Sequence, residues 1–396
     1  MKIGLLWHSF FSGNLGVSAL ATANATIIAT EAQALGIDVE FLFFGPKGDR
    51  SFTVPEHLPR NRYVEVSSAS PGNVSRIRKL IAECGLVFDI GGGDSFADIY
   101  GFKRLFKITA LKFLVPNAAR RLVLSPQTIG PFNSPITRRM GRAGMRHARL
   151  VFCRDAASLD RARSLIGADR ADRLMLTTDV AFALTPFSGW PTEFPVLDAE
   201  ERHIGLNVSG LLFRGGYTGK NEFGLKSDYP RLIRSLIEAL GSDPKNRIWL
   251  IPHVYRFQSD GLESDRGVCE ELSAAYPNTA VAPAFRNAVE AKTFIGKMDV
   301  VLAARMHAAI AAVSSGTACV PMSYSIKFGS LFQSIGYSHV VEMRELDHDA
   351  ALAAILAKIE DYQQLQAEAK AAAAAAQGKL DSYRTTVRTL LQEASE

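Results

Sequence analysis

Cysteine is scarce in this chain of 396 residues: Cys84, Cys153, Cys269 and Cys319 lie far apart and form no metal-binding spacing. Cys84, Cys153 and Cys319 sit in or beside apolar segments and read as buried thiols of a reducing compartment. No uncharged stretch reaches the roughly 18 residues of a membrane span. The apolar run over residues 1–8 is too short for a signal peptide and reads as a first strand, so a cytoplasmic location is expected. No block of Lys and Arg with interleaved aromatics stands out. The net charge of +5, with a pI of about 9.0, is too dilute to argue for nucleic acid. It suits acidic small molecules or an anionic surface instead. The glycine-rich segments lack both the dinucleotide glycine spacing and the Gly-Lys-Ser/Thr of a phosphate loop. Neither a cofactor nor a metal is expected.

What is present is an ordinary globular composition, 47% hydrophobic and 21% charged, in a chain too long for one comfortable core. Short apolar runs alternate with helical segments, the pattern of a parallel α/β protein. Strands are expected at residues 2–7, 39–43, 86–90, 121–124 and 150–153. A proline-bearing stretch around Trp190 follows, and the alternation restarts at 204–208, 247–251, 300–303 and 319–323. Helices are expected at 18–35, 229–240 and 264–275. The expected architecture is two doubly wound, Rossmann-like domains facing a central cleft: residues 1–185, a linker at 186–200, residues 201–346, and a C-terminal helical segment at 347–396. The alanine run at 371–376 has high helix propensity but little packing information, and is expected in a solvent-exposed helix.

Residues 305–327 carry most of the functional information. Residues 300–303 read as a buried strand, 307–315 as a helix stopped by Gly316, and 318–323 as a second strand. Such a β-α-β unit has parallel strands and a right-handed crossover. If the strands are neighbours, Arg305, His307 and Lys327 converge at a helix N-terminus, where backbone N–H groups also favour an anion. A small carboxylate or phosphate is the expected guest. Other loops follow strands: His8 to Gly16, Gly91-Gly92-Gly93-Asp94-Ser95, Ser125 to Phe132, Arg154-Asp155 and Pro252-His253. Three successive glycines permit close backbone approach to a ligand. Asp94 either caps a helix there or reaches the ligand. Arg154 follows a strand much as Arg305 does, and Arg suits bidentate anion recognition.

These loops together resemble the polysaccharide pyruvyl transferase family. The resemblance is carried by Gly13-Asn14-Leu15-Gly16, Gly91-Gly92-Gly93-Asp94, Gln127-Thr128-Ile129-Gly130-Pro131-Phe132, Arg154-Asp155, Asp179-Val180-Ala181-Phe182, Ile251-Pro252-His253, Arg305-Met306-His307 and Tyr324 to Lys327, in the family's order. It implies a GT-B-like fold, with acceptor in the first domain and donor in the second. It implies transfer of pyruvate from phosphoenolpyruvate to a sugar hydroxyl pair of a polysaccharide or its precursor, as a ketal, with phosphate released. By this carry-over Arg154, Arg305, His307 and Lys327 hold phosphoenolpyruvate, and His307 and Asp94 are the candidate catalytic groups. Asn14, Gly92, Gly93, Gln127 and His253 are expected to line the acceptor side. Many relatives have an acidic residue after the Gly-Asn-x-Gly element; Val17-Ser18 stands there, so no acid–base role is carried over from that loop. The acceptor sugar stays open, as does a lipid linkage that would bring the enzyme to the inner membrane face.

Two other readings compete. A nucleotide-sugar glycosyltransferase of the same architecture would need a carboxylate for the ribose, for which Glu263 or Asp265 is available. A non-catalytic binding member of a polysaccharide assembly would not need the intact set of Arg154, Arg305, His307 and Lys327.

Overall fold

The computed structural model describes residues 1–49, 51–66, 70–255 and 264–396; the side chains of Ile326 and Lys327, and all of Glu263, fall outside the described residues. The chain divides into two compact units. The first comprises Met1–Ser12, Val17–Ala183 and Gln377–Glu396, the second Gly13–Gly16 and Leu184–Ala376.

In the first unit, β1 (Lys2–Leu6), β2 (Glu40–Gly45), β3 (Asn61–Glu65), β4 (Leu86–Asp89), β5 (Leu122–Gln127), β6 (Leu150–Cys153) and β7 (Leu174–Leu176) form one sheet. Its order is β3-β2-β1-β4-β5-β6-β7, and every pair is parallel. The central strands are almost continuously apolar because both faces are covered. On one face, Leu105, Ile108 and Leu111 of the helix Phe102–Lys112 share a core with Met145 of Pro135–His147 and Leu159 of Ala156–Ile166. Leu6, Val87, Leu124 and Val151 supply the sheet side of that core. On the opposite face Phe152 meets Tyr383 edge to face at 4.8 Å.

The second unit repeats the plan with β8 (Arg202–Asn207), β9 (Asn246–Leu250), β10 (Thr279–Val281), β11 (Val300–Ala303), β12 (Ala318–Ser323) and β13 (Val341–Glu342). The order is β10-β9-β8-β11-β12-β13, again parallel. β11 and β12 are neighbours, with Val300 opposite Ala318 and Ala303 opposite Pro321. Gly316, at φ +71°, ends the intervening helix Met306–Ser314 as expected.

Strand order reverses between β1 and β4 in the first unit, and between β8 and β11 in the second. In open α/β sheets such switch points, beyond the carboxyl ends of the strands, are where ligands bind.

Three expectations need correction. The stretch at 186–200 is not a free linker: it belongs to the second unit, where Trp190 packs on Phe194 and Phe294, and the Phe187 N–H donates to Thr293 Oγ1. The C-terminal segment is not a separate exposed tail. The helix Tyr362–Ser395 buries a stripe that includes Leu365, Ala369, Ala372, Ala376, Leu380 and Tyr383. The alanine run therefore supplies small residues to a packed face, and residues from Gln377 onward complete the first unit. The edge strands β3, β7, β10 and β13 also escaped the sequence reading, being short or partly polar.

Candidate active site

In the second unit the switch-point loop begins at Ala304 and places Arg305 and His307 at the start of the helix Met306–Ser314. Asn207, the last residue of β8, pins this loop: its Oδ1 accepts the Arg305 N–H at 2.8 Å, and its Nδ2 donates to the Ile251 carbonyl at 2.8 Å. The Arg305 guanidinium donates to Asp265 Oδ1 at 2.7 Å. Asp265 is fully buried and also accepts N–H bonds from Gly210, His253 and Val254. One carboxylate thus ties together three strand-end loops. Burial works to lower the Arg305 pKa, but the charge of Asp265, with Tyr324 and the Asp265 hydrogen bond, more than reverses it. Arg305 is accordingly a fixed cation.

His253 ends up in the same group. It is buried, and desolvation, aided by the positive fields of His307 and Arg305, lowers its pKa to about 3. It is therefore a neutral imidazole at physiological pH. The Gly13–Gly16 loop attaches here: Leu15 N–H donates to the His253 carbonyl at 3.1 Å, Tyr255 N–H to the Gly13 carbonyl at 2.7 Å, and Asn14 bridges to Val254. Asn14 Oδ1 accepts the Gly16 N–H at 3.0 Å. A Cβ on Gly16 would lie 2.4 Å from His307 Nδ1, so the glycine is what lets the helix start close against the imidazole. Lys327 lies in the first turn of the helix Ile326–Ser334, directly after β12; its side chain is outside the described residues.

The first unit's switch point is built differently. Gly91, Gly92 and Gly93 all have positive φ, at 54°, 61° and 89°, a run open only to glycine at ordinary cost. Asp89 at the end of β4 accepts the Gly91 N–H at 2.7 Å and pairs with Lys112 at 2.7 Å, both side chains fully buried. Desolvation pushes the Asp89 pKa up, against the pull of Lys112. Gln127 is buried beneath the loop, donating to the Asp89 and Ser125 carbonyls. A Cβ on Gly91 would strike its Oε1 at 2.2 Å. Gln127 therefore supports the loop from below. Gly93 is buried too, with its carbonyl accepting from Thr128 N–H.

Gly92, by contrast, lines a cavity of about 440 Å³ with Trp7, Ser12, Tyr100, Arg104 and Lys107. Trp7 holds a left-handed backbone, φ +60°, a strain that non-glycine residues rarely bear. Asp94 accepts the Tyr100 hydroxyl at 2.6 Å, and the Arg104 guanidinium lies over the Tyr100 ring. Arg154 is buried in this unit, donating to Asp179 Oδ2 at 2.7 Å with Asp155 beside it. Asp179 of the Asp-Val-Ala-Phe segment is thus the counter-ion of Arg154. His8 is buried as well, bonded to the Leu6 carbonyl and Asn24, and desolvation drops its pKa to about 3.

The sequence-identified residues therefore fall into two groups, Asn14, His253, Arg305 and His307 in the second unit and Asp94, Gly92, Gly93, Gln127 and Arg154 in the first. Asn207, the clamping role of Asp265 and the cavity-lining Trp7 were missed. Asn207 ends a buried strand and Trp7 follows one, which was the available signal, whereas Asp265 opens a helix and carries no such mark.

Two parallel-sheet α/β units with loops gathered at strand-order reversals define the GT-B class of fold. Solved structures agree. UDP-GlcNAc 2-epimerase from Neisseria meningitidis bound to UDP-GlcNAc superposes with a TM-score of 0.57 at 11% identity, over 98% of this chain and 100% of that one. Sucrose-phosphate synthase from Thermosynechococcus elongatus gives 0.57 at 11% identity, over 99% and 98%. A glycosyltransferase from Rickettsia africae gives 0.57 at 11%, over 100% and 98%. At such identities the likeness is one of fold. The sequence itself matches the polysaccharide pyruvyl transferase family over residues 27–326, and the chain belongs to that family. Gly13–Gly16 and Lys327 lie outside the matched segment. No curated protein matches.

Proposed function

We propose that the protein transfers the pyruvyl group of phosphoenolpyruvate to two hydroxyls of a sugar as a ketal, releasing phosphate. The observation that supports this most is the pairing of a fixed cation, Arg305, with His307 at the switch point of the second unit, beside a helix N-terminus. A donor carrying both carboxylate and phosphate calls for such a cationic, donor-rich setting. In the proposed reaction a proton reaches the methylene carbon, C2 becomes electrophilic, and one sugar hydroxyl adds there. The C2–O bond to phosphate breaks and the second hydroxyl closes the ring. Of the two hydroxyl protons, one balances the proton now on the methyl group and the other leaves with phosphate.

His307 is the proposed acid–base group, Arg305 and Lys327 the donor-holding cations, and Arg154, by the family carry-over, a further donor contact. Asp94, held by Tyr100 beside the cavity of the first unit, is proposed to orient an acceptor hydroxyl. Of the two carboxylates open to the glycosyltransferase reading, Asp265 is fully buried and occupied by Arg305 and backbone N–H groups, which speaks against its holding a ribose, and Glu263 lies outside the described residues.

The test is phosphate release from phosphoenolpyruvate with a panel of nucleotide-linked and lipid-linked sugars, the products identified by mass spectrometry. His307→Ala is expected to abolish release while its thermal melt stays within about 2 °C of wild type, the scale of a surface-type change. Undiminished turnover by that variant removes His307 from the mechanism. Thermal stabilisation by UDP or GDP but not by phosphoenolpyruvate would overturn the pyruvyl reading.

A further inference from the structure

The helix Phe102–Lys112 repeats a Phe-Lys dipeptide one turn apart, Phe102-Lys103 and Phe106-Lys107, and all four residues are exposed. The two phenyl rings are 53% and 55% exposed and stack on each other at 6.4 Å. The helix packs beside Pro135–His147 on the same face of the first unit's sheet. That second helix adds Ile136, 60% exposed, and the outward cations Arg138, Arg139 and Arg142. Between Asp98 and Asp155 the chain holds twelve Lys or Arg and no Asp or Glu. The net charge of the whole protein is only +5, so this segment is strongly cationic while the remainder of the chain is net acidic. Lys112 and Arg154 are buried on Asp89 and Asp179, and the exposed cations of the two helices include Lys103, Arg104, Lys107, Arg138, Arg139 and Arg142. The expectation that no Lys/Arg block with interleaved aromatics occurs is corrected here: Phe102-Lys103-Arg104-Leu105-Phe106-Lys107 is such a block, and six residues are too few to move a whole-chain average.

We infer that these two helices form a docking surface for an anionic lipid bilayer. Cations alone would fit any polyanion. The bare phenyls and Ile136 among them have no use against a phosphodiester backbone in a groove, but fit the boundary between headgroups and acyl chains. Exposed Lys and Arg beside them then meet the negative charge of the leaflet. Among the described residues no helix is long and apolar enough to cross a membrane, so the association is peripheral. The same helix lends Lys103, Arg104 and Lys107 to the wall of the 440 Å³ cavity, which would bring that cavity to the lipid surface.

The inference rests on this surface and not on the pyruvyl chemistry, and its test needs no donor. The full-length protein is sedimented with vesicles of phosphatidylcholine alone and with vesicles carrying 30% phosphatidylglycerol, a composition chosen as on the order of a charged natural leaflet. Wild type is expected to pellet with the anionic vesicles and not with the neutral ones. F102S/F106S is expected to lower the bound fraction about tenfold, the scale of removing two inserted aromatic side chains. The thermal melt of that variant should stay at the wild-type value, since both side chains are exposed. R138Q/R139Q/R142Q should weaken anionic-vesicle binding as well. The inference is overturned if the phenylalanine variant binds vesicles like wild type. It is also overturned if wild type binds a duplex DNA as tightly as the anionic vesicles and the two serines leave that binding intact.

Discussion

Gly16 occupies a position where any side chain would meet the imidazole of His307 2.4 Å away. Its helical setting would otherwise welcome alanine, which is favoured over glycine in a helix by about 1 kcal/mol. Gly16→Ala is therefore expected to leave the urea midpoint unchanged or slightly raised while kcat/KM falls roughly 100-fold, the cost of displacing a reacting group by about 1 Å. Equal loss of stability and activity would show that the glycine serves packing alone. In the sequence this residue could be read as part of the Gly13–Gly16 element but not as the neighbour of His307, because that partner lies far along the chain. Arg305 and His307 were readable, since strand, loop and helix are adjacent in sequence there. The commitments of the buried polar residues were not. Nothing local shows that Asp265 gathers Arg305, Gly210, His253 and Val254, or that Gln127 faces under its loop.

Among the elements, central strands and the longer amphipathic helices were found within a few residues, because burial on both faces leaves an apolar run that nothing else explains. The helix Tyr362–Ser395 was recognised as a helix and misjudged as exposed. The middle of its buried stripe is Ala369, Ala372 and Ala376, and these lie within an alanine-rich stretch that offers little hydrophobic contrast between its two faces, so the larger Leu365, Leu380, Val387 and Leu390 did not read as one continuous stripe. Tyr383 brings a polar group to that stripe. Its hydroxyl donates to Asn24 Oδ1 at 2.7 Å and lies 3.1 Å from Ser125 Oγ, and Asn24 in turn meets His8 Nε2 at 2.9 Å. Tyr383→Phe keeps the ring against Phe152 but strips a buried acceptor of its donor. A loss of about 1–3 kcal/mol by urea denaturation is expected. A change below a few tenths would mean that the network rearranges without it.

For the molecule as a whole, the buried Lys292 sets a pH dependence of stability. Desolvation lowers its pKa to about 7, while its ammonium donates to the Leu184 carbonyl and Ser314 Oγ. The unfolded chain keeps that proton up to about pH 10.5, and the folded one releases it near 7. Between those limits the unfolded state binds more protons, so stability rises with pH and is lost as pH falls towards 7. At about 1.4 kcal/mol per pH unit the span amounts to several kcal/mol. The difference in unfolding free energy between wild type and Lys292→Met should therefore grow in favour of wild type from pH 7 to pH 10. A difference independent of pH would mean that Lys292 keeps a near-normal pKa in the fold.

The network of His8, Asn24, Ser125 and Tyr383 also bears on biosynthesis. His8 and Asn24 leave the ribosome long before Tyr383, with the entire second unit's main segment synthesised in between. Until that tyrosine is synthesised, the face of the sheet around Phe152 lacks its cover and His8 sits in an unfinished polar cluster. The first unit must therefore wait, through the translation of the entire second unit, for its closing helix. Nascent chains halted before Gln377 should remain protease-sensitive in β1 through β6, however long they are given to fold.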